Sequence, residues 1–104
     1  MNQYTEQLLT LIASANDLFA VKKSHISTTV GLLEQRLQDA NAVTVDNVKQ
    51  KQRLMFIILD ANPEEVGIGT GQSGTEDFVF IQQHPLNKLT TVAVVELMEK
   101  YLIV

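Results

Sequence analysis

The residues of this 104-residue chain whose types and spacing suggest chemistry lie between its two prolines, Pro63 and Pro85. Gly69-Thr-Gly-Gln-Ser-Gly74 matches the spacing G-x-G-x-x-G. In dinucleotide-binding folds that spacing lets backbone amides approach a pyrophosphate. Five carboxylates flank the run, at Asp60, Glu64, Glu65, Glu76 and Asp77, and no Lys or Arg occurs between Arg53 and Lys88. Carboxylate oxygens are the ligands of hard cations.

Neither chemistry has its required context. A pyrophosphate site needs a strand before the glycines and a helix after them. Here the pattern predicts a helix and Pro63 ahead and an apolar extended stretch, Phe78 to Ile81, behind. A kinase-type glycine loop lies between strands, but the other kinase motifs are missing. Small-ligand or nucleotide binding by the Gly-rich loop 64–77 therefore stands as the alternative function. The acids lack the alternating ligand order of a calcium loop, so no metal site is expected and they read as a solvated acidic rim. His25 and His84 have no carboxylate or Cys at ligand spacing, and no nucleophile motif is present. No catalytic residue and no cofactor-binding residue is assigned, and an enzyme is not expected.

Composition narrows the function classes further. The chain has no Cys, which excludes a disulfide framework and a thiolate metal site. The formal charge is −4, unevenly spread. Residues 1–53 carry six bases and five acids, whereas residues 54–104 carry two bases and seven acids. Acidity disfavours nucleic acid and suits a basic protein partner. Lys49, Lys51 and Arg53 form a small basic cluster without interleaved aromatics; on a helix Lys49 and Arg53 share a face while Lys51 points elsewhere, and the cluster reads as plainly solvated. No stretch approaches the length of a membrane span, and no basic, apolar leader begins the sequence, so a cytoplasmic protein without membrane contact is expected.

The elements that must position these residues read mainly as helix, in one domain over 1–104. Tyr4, Leu8, Leu11, Ile12, Ala15, Leu18 and Phe19 form a helical stripe from Asn2 to about Val21. Ile26, Val30, Leu33, Leu37 and Ala40 recur in steps of four and three, which predicts a second helix over about His25–Ala40. A third is placed at about Val45–Ala61, because Gln50 to Arg53 are good helix formers and Asn62-Pro63 stops a helix. The apolar run Leu54–Leu59 within it fits a buried strand equally well. Glu64 to about Asp77 reads as loop, Asp77–Ile81 as extended, and Leu86–Leu102 as a last helix opened by Pro85. The resulting fold class is mainly α, a small four-helix arrangement with a long Gly-rich connection and one short extended segment. The alternative is α+β, with strands near 53–60 and 77–82.

On these grounds the expected function is a small acidic protein-protein interaction module, adaptor, inhibitor/immunity-like or chaperone-like, that binds a protein partner or forms a homodimer. Its possible contact surface is Glu64, Glu65, Glu76, Asp77, Phe78 and Phe80. Ile58→Asp is expected to unfold the protein.

Overall fold

The structure, a computed structural model, describes residues 3–33, 39–75 and 77–103. It is not a helical bundle. Helix α1 (Gln3–Lys22) is followed by five strands, β1 (Thr29–Leu32), β2 (Ala40–Asn47), β3 (Gln52–Leu59), β4 (Asn62–Gln72) and β5 (Phe78–Pro85). A 3-10 turn (Leu86–Lys88) and helix α2 (Thr91–Tyr101) complete the order. The strands form one antiparallel sheet in sequence order.

The first and last helices stand close to where the periodicity puts them. In α1, Leu8, Ile12, Ala15 and Phe19 are buried at steps of four and three, while Leu18 is exposed. Helix α2 starts later than Pro85. Its N-cap is Thr90, whose hydroxyl accepts from the Ala93 N–H at 3.1 Å. Pro85 ends β5 instead, and His84 lies in that strand with a ring nitrogen 2.6 Å from Gln82 Oε1. The apolar C-terminal run is docked. Leu102 is buried, and its carbonyl accepts from Asn47 Nδ2 at 2.8 Å.

The second and third expected helices are corrected. Thr29–Leu32 is a strand, and Val30, read as part of a helical seam, lies opposite Val45 of β2. Leu37 lies outside the described residues. The segment 45–61 divides into the end of β2, a turn, and β3. Val43-Thr-Val45 is β-branched and fits a pleated sheet better than a helix turn. The helix-forming residues Lys49 to Lys51 make the turn: the Lys51 N–H donates to the Val48 carbonyl at 3.2 Å, with Lys51 at φ 58°. Side chains alternate along β3 as in any strand. Leu54, Phe56 and Ile58 face one way; Met55, Ile57 and Leu59 face the other. The expected loop 64–77 is largely β4. Asn62 pairs with Leu59, and the ladder then shifts register across Pro63, where a strand tolerates a residue without an N–H. The α+β alternative names two of the five strands, β3 and β5, and misses the rest.

Directly opposed residues in an antiparallel sheet share a face, so the register defines two faces. The inner face carries Val43, Val45, Leu54, Phe56, Ile58, Val66 and Ile68. These pack with Leu8, Ile12 and Phe19 of α1 and with Val94, Val95 and Met98 of α2 in one core. Fully burying a side chain of that size contributes about 1.5–3 kcal/mol. The outer face carries Ala40, Ala42, Thr44, Asp46, Arg53, Met55, Ile57, Leu59, Glu65, Gly67, Gly69 and Gly71. Among the described residues, no helix lies on it.

Candidate functional site

The outer face is shaped by the glycines. Gly67, Gly69 and Gly71 stand at alternate positions of β4, so all three point outward while Val66, Ile68 and Thr70 point inward. On one side they oppose Ile57, Met55 and Arg53 of β3. On the other, Gly69 opposes Phe80 and Gly71 opposes Phe78 of β5. The rings lean back across the bare strand. A Cβ on Gly67 would stand 3.2 Å from Phe80 Cε1, and one on Gly69 would collide with the Phe78 ring. A strand without side chains between two rows of long ones makes a trough.

The trough has a closed end and an open end. At the closed end, Asp46 and Arg53 form a two-pronged pair, Nε to Oδ1 at 2.7 Å and Nη2 to Oδ2 at 3.2 Å. Their side chains are only 11% and 13% exposed. Arg53 Nη1 also donates to the Thr75 carbonyl at 2.8 Å, and the Ser73 hydroxyl donates to Asp46 Oδ1 at 2.9 Å. Together these ties hold the β4–β5 hairpin, with Gly74 at φ 85° in its turn. Arg53, read as one of a small solvated basic cluster, is a structural residue of the sheet.

At the open end a groove of about 290 Å³ is lined by Ala40, Ile57, Leu59, Asn62, Glu65, Gly67, Phe78, Phe80 and Gln83. Leu59 and Phe80 border it at 53% and 57% exposure. The Asp60 N–H donates to the Asp39 carbonyl at 2.8 Å and joins the ends of β2 and β3 beside it. Glu65 is half-buried at the rim, and among the described residues it has no cationic partner.

Of the expected contact residues, Glu65, Phe78 and Phe80 come together in this groove. Glu64 is exposed and lines a neighbouring cleft with Tyr4, Gln7, Leu86 and Asn87, and Glu65 stands between that cleft and the groove, lining both. Asp77 is exposed beyond the opposite end of the trough, beside Thr75 and Val79. Glu76 lies outside the described residues. Ile57, Leu59 and the β4 glycines were missed as parts of one surface. Their signal is the alternation in Val66-Gly-Ile-Gly-Thr-Gly71, a strand with one bare face.

The same register disposes of the phosphate motif. Gly69 and Gly71 sit in a strand laddered on both edges, so their backbone amides serve the sheet and do not converge on a ligand. Among the described residues, no three His, Asp or Glu side chains are grouped to hold a metal ion, and no helix is long and apolar enough to cross a membrane. Comparison with known proteins gives no match: no family model, no curated protein and no solved structure is significantly similar to this chain.

Proposed function

We propose that the protein is a small interaction module that binds another protein through the open end of its outer sheet face. One observation carries this reading. Both helices pack on the inner face, while Leu59 and Phe80 stand half-exposed around an apolar groove on the other. Isolated exposed apolar side chains, such as Val21 or Val92 here, are ordinary; several around one concavity mark a contact site. Acting by binding, the module needs no cofactor. The absence of Cys suits a reducing cytoplasm, where we place it.

The test is site-specific photo-cross-linking in the native host. A benzophenone side chain replaces Phe80 in one variant and Val21, 79% exposed on α1, in another. The reading expects an adduct from position 80 that position 21 does not give. Equal yields at the two positions, or none at 80, contradict it. An adduct of twice the chain's own mass would identify the homodimer as the form of binding.

A further inference from the structure

Resting on that reading, we propose that the groove's occupant is a segment of a different protein that presents a large apolar side chain with a lysine or arginine beside it. The apolar group lies over Ala40 and Ile57, between Leu59 and Phe80, and the cation meets Glu65.

Charge complementarity carries the assignment. Among the described residues, Glu65 is the groove's one charged lining residue, and no described cation neutralises it. Asp39, next to Ala40 at the same end, is exposed and also acidic. The described bases of the sheet lie elsewhere: Lys49 and Lys51 are in the β2–β3 turn at the far end of both strands, and Arg53 is closed by Asp46. Lys88 belongs to the 3-10 turn, whose Leu86 joins the inner core. A carboxylate set into an apolar wall weakens the docking of a purely apolar segment, because it loses water on contact and gains no partner. It strengthens the docking of one that brings a cation. Two copies meeting groove to groove would oppose their Glu65 carboxylates, which the same physics disfavours.

The test uses fluorescein-labelled synthetic peptides with a common Leu-Phe-Leu centre flanked by lysines, serines or glutamates, titrated with the whole protein and read by fluorescence anisotropy. The lysine-flanked peptide is expected to bind most tightly, by about tenfold over the glutamate-flanked one at low salt, with the margin shrinking as salt rises. Glu65→Lys should invert the order and Glu65→Gln should level it, each variant first showing wild-type circular dichroism. Phe80→Ser should weaken all three peptides. Apolar peptides that bind equally whatever their flanks overturn the charge assignment and leave the binding face standing. Binding of none of them overturns both. Concentration-dependent self-association in light scattering that Glu65→Lys abolishes would replace the foreign partner by a second copy.

Discussion

The two faces of the sheet are built from the same strands, but the helices cover only one of them. The other is buried around Ala42 and Met55 and opens to solvent at the groove. Along β3, Leu54, Phe56 and Ile58 are buried under two helices, while their neighbours Ile57 and Leu59 border an open groove. Along β4, Val66 and Ile68 fill the core while Gly67 and Gly69 leave room on the opposite face for the Phe80 and Phe78 rings. The contrast teaches that apolar content alone does not locate the core of this protein. What separates structure from surface is which residues alternate with which, and which face the helices cover.

The largest expected effect breaks the inner face. Ile58→Asp places a carboxylate at a fully buried position of the main core, and circular dichroism should show no cooperative melt, because an unpaired charge there costs at least about 4 kcal/mol. The sequence-level expectation for this variant stands, but its reason is now a strand and not a helix. Next comes the closed end of the outer face. Arg53→Ala leaves Asp46 nearly buried without its partner, and urea denaturation should register a loss of about 3 kcal/mol. A smaller effect compares two glycines of one strand. A side chain at Gly71 would collide with the Asp77 backbone carbonyl, whereas one at Gly67 meets the edge of the exposed Phe80 ring at 3.2 Å and the Ile57 carbonyl at an ordinary 3.8 Å. Gly71→Ala should therefore cost about 1–3 kcal/mol, and Gly67→Ala no more than about 0.5 kcal/mol, in paired thermal melts. Equal costs would mean that Phe80 is held as rigidly as the backbone and that the groove is part of the core.

The terminal helices were legible because their apolar stripes are long and regular, as Leu8, Ile12, Ala15 and Phe19 show. The middle of the chain was not, for identifiable physical reasons. Leu54–Leu59 is apolar on both faces, since one face packs on helices and the other borders the groove, so no alternation appears. Lys51 turns the chain at positive φ without the Gly or Asn that usually signals such a turn. Lys49 to Arg53 therefore reads as helix, although Arg53 already belongs to β3. The glycines of β4 have composition typical of a loop, and only their spacing of two betrays a strand. For the candidate site, Glu65, Phe78 and Phe80 were legible as types, an acidic residue and aromatics in an unusual stretch. Their meeting with Leu59 and Ile57 depends on register across three strands, which short-range pattern does not encode.

The most direct test of the division between the faces is the urea midpoint of the Leu59→Ser, Phe80→Ser double variant. If the open end of the outer face serves contact and not stability, the midpoint should correspond to a change within about 0.5 kcal/mol of wild type, with the slope of the transition unchanged. A loss of several kcal/mol would show that Leu59 and Phe80 hold the sheet together, and would contradict the assignment of this face to binding.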